Sequence, residues 1–225
     1  LNPIEADAIV SATPLTNFSA NQFADIESLI APYGTIWDFF LGTIPGSMAE
    51  TSALFILLAG VFLVIRRVIS WRIPVLYIGS VFVLTYIIGA FNGYATNLNY
   101  SLFHIFSGGL FFGAMFMATE PVTKPKTPNG EVLYALFLGV LTVLFRFVGT
   151  FPEGVASAII VMNLFAIILD RISAKTRVQT KRSKVVITYA VFAAILLVIS
   201  LYTITKSIEP ASANEIVEVI RHGMY

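Results

Sequence analysis

The chain contains no cysteine in 225 residues. That excludes a disulfide framework, a thiolate metal site and a Cys-ligated iron–sulfur cluster within this polypeptide. Histidine is nearly absent as well. His104 and His222 stand far apart in sequence, which argues against a His-built metal site or a bis-His haem. Charge is scarce: Asp, Glu, Lys and Arg make up 12% of the residues, where soluble globular domains carry about 25%. The net charge is +1, so no basic excess draws the chain to nucleic acid. There is no nucleotide-binding glycine loop. What is left is 57% hydrophobic with a mean hydropathy of +0.83, which marks an integral membrane protein.

A membrane span needs about 20 mostly apolar residues. Six stretches qualify by composition: 51–69, 73–91, 100–118, 132–149, 153–170 and 185–204. They predict an all-α polytopic membrane protein with a transmembrane domain over 51–204. Residues 1–22 are polar and turn-rich. Residues 23–50 mix Phe23, Trp37, Phe39 and Phe40 with Asp25, Glu27 and Asp38. That is too interrupted to span, and its aromatics suit the membrane interface, so a short interfacial helix and a re-entrant approach are expected. Residues 205–225 form a weakly amphipathic tail. The chain starts at Leu1, without Met and without a basic-then-apolar leader, and reads as a fragment or processed product of something longer.

Lys and Arg set orientation through short loops. Arg66, Arg67 and Arg72 flank the first turn; Lys124 and Lys126 lie between the third and fourth spans. Arg171, Lys175, Arg177, Lys181, Arg182 and Lys184 crowd the fifth-to-sixth connection. The loops at 92–99 and 150–152 carry no charge. Basic loops therefore alternate, which predicts that they face the cytoplasm of a bacterial or archaeal cell. Residues 1–50 and the tail then lie outside.

Several strings inside this frame carry chemistry. Asp7-Ala8-Ile9-Val10-Ser11-Ala12-Thr13 precedes Pro14-Leu15; as plain sequence, a short hydroxyl residue before Pro favours a turn. Ser47-x-x-Glu50 ahead of an apolar run has capping-box spacing, and Glu50 would also suit a helix N-terminus electrostatically. Alternatively Glu50, Thr51 and Ser52 line a cofactor or an ion path, because an ionisable group at membrane depth is a functional candidate. Glu120 follows a helix end ahead of Pro121, where an acid is unfavourable; it reads first as a solvated loop acid, with Lys124 or a bound cation as the alternative partner. Arg146 sits just inside the outer end of the fourth span. It either snorkels to the interface or forms a charge-assisted pair with a phosphate or with Glu153. His104 reads as a hydrogen-bonded packing residue. Gly109 and Gly113 form a small-xxx-small pair that lets helices approach closely.

Taken together, four ordered strings give a resemblance over nearly the whole chain. They are Asp7…Ser11-Ala12-Thr13, Pro45-Gly46-Ser47-Met48-Ala49-Glu50-Thr51-Ser52, Ser107-Gly108-Gly109 and Ala118-Thr119-Glu120-Pro121-Val122-Thr123. The chain resembles the RnfD/NqrB family, the membrane flavoproteins of Rnf ferredoxin:NAD oxidoreductase complexes and of sodium-pumping NADH:quinone reductases, and within it the Rnf member. The resemblance implies that Thr13 accepts FMN through a phosphoester from a flavin transferase, with Asp7, Ser11 and Ala12 as motif residues. It further implies Glu50, Thr51, Ser52 and Arg146 as candidate flavin-side residues, and no catalytic or metal-ligating residue of the chain's own. The family's usual Ser-Gly-Ala-Thr acceptor stands here as Val10-Ser11-Ala12-Thr13, without the Gly.

Further implications follow from the family. The fold is a urea-transporter-like half, corresponding to the C-terminal part of a subunit whose N-terminal half would be a partner. The function is electron relay coupled to Na+ or H+ pumping. A second flavin (riboflavin or FMN) is expected in the subunit or its neighbours. The remaining partners are a second covalent flavoprotein, iron–sulfur subunits, other membrane subunits and the lipid bilayer. The open alternatives are a quinone-reductase subunit and a small-solute channel without flavin.

Overall fold

The computed structural model describes residues 14, 15, 18, 27, 30–44, 46, 50–94, 98–149, 154–178 and 182–208. Every regular element among them is helical. A 3₁₀ turn at Ala31–Tyr33 leads to α1 (Ile36–Leu41), followed by α2 (Ala53–Ile65) and α3 (Arg72–Gly89), which ends in a π turn at Ala90–Tyr94. Next come α4 (Leu98–Phe106) and α5 (Leu110–Phe112), the latter running into a second π turn at Gly113–Met117. Three long helices follow among the described residues: α6 (Pro128–Phe147), α7 (Gly154–Val178) and α8 (Arg182–Ile208).

Among the described residues, four helices are long and apolar enough to cross a membrane: Arg72–Asn92, Pro128–Phe147, Gly154–Thr176 and Val185–Ser207. The all-α polytopic expectation holds, but not the count of six. The first candidate, 51–69, yields a helix of only 13 residues, about 20 Å at 1.5 Å per residue, against an apolar core of about 30 Å. It stops because Arg67 turns left-handed at φ 57°. Val68 N–H then bonds back to the Leu63 carbonyl at 3.0 Å, the geometry of a Schellman stop. The third candidate, 100–118, is two helices bent at 65°. In the other direction, the fifth runs past 170 to Val178, since the Lys, Arg and Ala that follow are good helix formers.

α6 is the hub. It packs against α3, α7 and α8, and 72% of its most apolar stretch is buried. Buried polar pairs lock it in place. Tyr77 and Thr142 hydroxyls meet at 2.6 Å across α3 and α6, and Tyr134 donates to Asn163 Oδ1 at 2.6 Å across α6 and α7. α3 and α6 also touch where α6 carries Gly139: a Cβ there would fall 1.8 Å from Ser80 Oγ. At the opposite extreme, none of the most apolar stretch of α8 is buried within the chain. Val186, Val191, Leu197 and Leu201 face outward, as a lipid-facing helix requires.

The start of α3, the segment ahead of α6 and the later part of α7 meet at one end of the described residues. Glu131, 4% exposed in the first turn of α6, pairs with Arg72 at the start of α3 and with Lys124 ahead of α6. Asp170, near the end of α7, accepts from the amides of Lys126 and Thr127 and from the Thr127 hydroxyl at 2.7–2.9 Å. α1 holds its own start: Asp38 Oδ2 accepts from the Thr35 amide at 2.7 Å and from the Thr35 hydroxyl at 2.8 Å, and Oδ1 accepts from the Thr43 hydroxyl at 3.1 Å. The Thr35 side chain above all, then its backbone and Thr43, holds this carboxyl below the ordinary carboxylate value. Trp37 on the same helix stays exposed while Phe39 is fully buried.

Candidate functional site

Ser107-Gly108-Gly109 interrupts the third apolar stretch and makes the break between α4 and α5. Gly108 has φ +70°, a conformation that costs an L side chain roughly 1–2 kcal/mol. A Cβ at this position would also fall 2.4 Å from Leu15 Cδ1. Breaking a helix strands the carbonyls at its C-terminal end and the amides at the next N-terminal end. In a membrane interior such groups need protein partners.

Two charged side chains face the two stranded ends. Arg146, 2% exposed on the last turn of α6, donates through Nη1 to the His104 carbonyl and through Nη2 to the Ser107 carbonyl, the latter at 3.3 Å. A cation at a helix C-terminus is also favoured by the helix dipole. On the other side of the break, the Glu50 carboxylate lies against Gly109: a Cβ there would fall 2.8 Å from Glu50 Cδ. An anion is the favoured charge at that N-terminal end. Glu50 and Arg146 thus bracket the break with the signs its two dipoles call for. Arg146 does not snorkel; its terminal nitrogens turn inward to backbone carbonyls.

The chain that follows the Asp7–Thr13 string docks at this same place. Pro14, Leu15 and Phe18 are buried, Leu15 and Phe18 at 2% exposure. Leu15 packs on Gly108, with Arg146 Nη2 close by on the same glycine. Phe18 packs edge-on against His104 with centroids 4.6 Å apart, and against Phe147 at 5.5 Å. Tyr100, Phe103 and Phe147 complete the enclosure of the His104 ring at 4.9, 5.4 and 5.1 Å. Packing is as expected for His104, but its ring nitrogens find no hydrogen-bond partner among the described residues, and neither do the buried hydroxyls of Ser101 and Ser107.

Of the residues named from sequence, Asp7, Ser11, Ala12 and Thr13 lie outside the described residues, as do Ser47 and Glu153. Glu50 and Arg146 are brought to the break. The capping box is displaced: α2 begins at Ala53, and Ser52 is its cap, accepting from the Phe55 amide at 3.4 Å. Glu50 therefore precedes the helix start and lies outside its first turn. Thr51 is half-buried between the two. Glu120 is exposed and takes a hydrogen bond from the Thr123 hydroxyl at 2.8 Å, in keeping with a solvated loop acid, whereas Lys124 goes to Glu131. Thr119 is spent on the Met115 carbonyl. Gly113 meets α7, where a Cβ would fall 2.3 Å from Val155 Cγ1; it serves packing. Phe18 and the two carbonyls that Arg146 binds were not foreseen. The Ser-Gly-Gly inside an apolar run was the available signal for a break.

The NQR2, RnfD, RnfE family profile matches residues 2–179. The chain is 37% identical over 177 residues to the RnfD subunit of the proton-translocating ferredoxin:NAD(+) oxidoreductase complex of Clostridium ljungdahlii, covering 78% of this chain and 53% of that one. It is 35% identical over 186 residues to the NqrB subunit of the Na(+)-translocating NADH-quinone reductase of Chromohalobacter salexigens, covering 80% and 44%. It is 31% identical over 167 residues to the RnfD subunit of the Na(+)-translocating ferredoxin:NAD(+) oxidoreductase complex of Acetobacterium woodii, covering 73% and 48%. The chain spans about half the length of these relatives. With a profile match over most of its length and a helix break bracketed by the residues its motifs single out, the chain belongs to the NQR2, RnfD, RnfE family.

Proposed function

We propose that this chain is part of a membrane subunit of an ion-translocating electron-transport complex, and that it carries FMN as a phosphoester on Thr13. The observation that carries the reading is the docking of Leu15 on Gly108 beside Arg146. Thr13 precedes Leu15 by two residues, and two residues of chain extend at most about 7 Å. A flavin on Thr13 would be tethered at the broken helix. The residues present fit such a group: a phosphoester asks of the fold an anchored backbone beside the acceptor, and buried Pro14, Leu15 and Phe18 supply it. FMN, when bound, exchanges one or two electrons, and the protein tunes its potential.

The chain's own residues do the rest. Arg146 holds the α4 end shut by its two carbonyl bonds, and its positive charge would favour negative charge on a group held beside the tether. Glu50 faces the opposite helix end. Broken helices of this kind line ion and substrate sites at membrane depth in transporters, which supports coupling of electron flow to ion movement through the complex. The relatives' names divide between protons and sodium, so the coupled ion is left as a cation. Partners in this reading are the other subunits of such a complex and a flavin transferase. The basic ends of α3, α6, α7 and α8 face the cytoplasm by the positive-inside rule, which puts the break and the N-terminal segment near the outer face.

The reading is tested by Thr13→Ala in the assembled complex. Loss of in-gel flavin fluorescence from this subunit, with the complex intact and its electron transfer lost, is expected. Retained fluorescence and electron transfer would remove Thr13 as the attachment point.

A further inference from the structure

Three polar side chains in one short stretch are buried, and none has a hydrogen-bond partner among the described residues: the hydroxyls of Ser101 and Ser107 and both ring nitrogens of His104. An unmatched buried polar group costs about 1–3 kcal/mol, and folded proteins carry few of them. Ser101 and His104 lie on α4, and Ser107 continues its last turn, its amide bonding the Phe103 carbonyl at 2.8 Å. Steps of three residues set successive side chains next to one another on the helix surface, with about 5–6 Å between Cβ atoms. One water molecule can bridge each step.

The row leads from the protein surface to the helix break. Asn99, two residues before Ser101, is exposed. Beyond Ser107 come Gly108 and Gly109, and Gly109 lies against the half-buried Glu50 carboxylate; two residues of chain reach at most about 7 Å. From Ser101 to Ser107 the row covers about 9 Å of helix at 1.5 Å per residue. A metal cation needs several oxygens converging on one point. Two hydroxyls and an imidazole strung along a ridge offer no such point. Each of them both donates and accepts a hydrogen bond, which is what a migrating proton requires.

The surroundings favour passage over storage. Four aromatic rings enclose the imidazole. Of the elements packed on α4, α6 brings Arg146, whose Nη1 donates to the His104 carbonyl; beside that charge a second proton would rest on the ring only in passing. α3 meets α4 through Gly89 against Tyr100. α1 meets it through Phe39 against Phe103, and Asp38 of α1 is engaged by Thr35 and Thr43. Tyr100 and Glu50 are the remaining ionisable groups next to the row among the described residues.

We infer that Ser101, His104 and Ser107 form a proton relay between the Asn99 end of α4 and Glu50 at the helix break. The neutral imidazole takes a proton at one ring nitrogen and releases the proton held on the other. Glu50 passes from carboxylate to carboxylic acid and back, and no electrons move. The inference rests on the ion-coupling part of the reading above and assigns the proton as the cation handled at this break; it needs no flavin on Thr13.

The first test reads the imidazole itself. The assembled complex is held in deuterated buffer over a range of pH, and exchange of the His104 Cε1 hydrogen is followed by peptide mass spectrometry. A relay histidine meets water and titrates, so its exchange is expected to rise sigmoidally with pH. A ring that stays unlabelled, while the denatured subunit labels, would overturn the inference. The second test places the complex in liposomes with a trapped pH dye and drives electron transfer. H104Q should slow proton movement about 100-fold, S107A should slow it less, and added imidazole should restore part of the rate in H104G. Proton movement at the wild-type rate in H104Q, or a wild type that moves Na+ and no protons, would contradict the proposal. The exchange test needs no variant, so it decides even where H104Q fails to assemble. An unmodified Thr13 peptide from the same samples would remove the flavin reading alone, with His104 exchange still deciding this one.

Discussion

Replacing Arg146 with Met tests the helix break most sharply, because Met keeps much of the side-chain volume and removes both donors. Two carbonyls, of His104 and Ser107, then lose their bonds to the guanidinium. A buried polar group left unmatched costs about 1–3 kcal/mol, so the pair sets an upper range of about 2–6 kcal/mol. Loss of a cation from a helix C-terminus adds to this, up to about 2 kcal/mol in partly buried sites. Relief of the desolvation cost of a buried guanidinium works the other way and is of similar size. The balance falls at about 2–4 kcal/mol destabilising. For a chain of this length each kcal/mol moves Tm by about 2–4 °C, so R146M should unfold roughly 5–15 °C lower. The assay is thermal challenge followed by size-exclusion chromatography of the assembly. R146K should fall between the two, since one ammonium cannot fork across both carbonyls. An R146M protein as heat-resistant as wild type would refute the claim that the guanidinium holds the break together.

Three further outcomes are expected. Gly108→Ala places a Cβ on Leu15 and strains a φ of +70°, so it should release the N-terminal segment; limited proteolysis ahead of residue 20 should speed up several-fold, while cleavage between α7 and α8 stays unchanged. Glu131→Gln removes the carboxylate shared by Arg72 and Lys124. Breaking a buried pair costs about 3–5 kcal/mol, and discounting for the half-exposed Arg72 leaves about 2 kcal/mol, read as a fall in Tm that Glu131→Asp recovers in part. For pH, the folded-state value of Asp38 lies below its unfolded one. Its contribution to α1 is therefore complete above the ordinary Asp value of about 3.9 and is lost as pH falls through the lowered folded value. Hydrogen-exchange protection of 35–43 should hold at pH 5 and drop as pH falls below the ordinary Asp value of about 3.9, and Thr35→Ala should abolish that difference.

What was legible in the sequence follows from which forces are local. Long apolar runs pointed to α3, α6, α7 and α8, because burial of 20 apolar residues is a property of a short window. Hydropathy cannot see where a run bends. The 65° break in 98–117 depends on a left-handed Gly108 held by Leu15, from far upstream, and on Arg146, from far downstream. The short α2 depends on Arg67 adopting a conformation that Gly usually takes. Ser47-x-x-Glu50 had the right spacing for a cap, but Ser52 lies nearer the apolar run and took the role. Glu50 and Arg146 were legible as isolated charges in apolar surroundings. That they face the two ends of one broken helix was not, since it is a long-range packing fact.

The central claim is that Thr13 carries FMN at the broken helix, and peptide mass spectrometry of the membrane-extracted subunit under denaturing conditions tests it most directly. The account predicts a peptide spanning Asp7 to Phe23 heavier by one FMN less one water, with fragmentation placing the addition on Thr13. An unmodified peptide, from cells in which the flavin transferase is active on another protein, would contradict it.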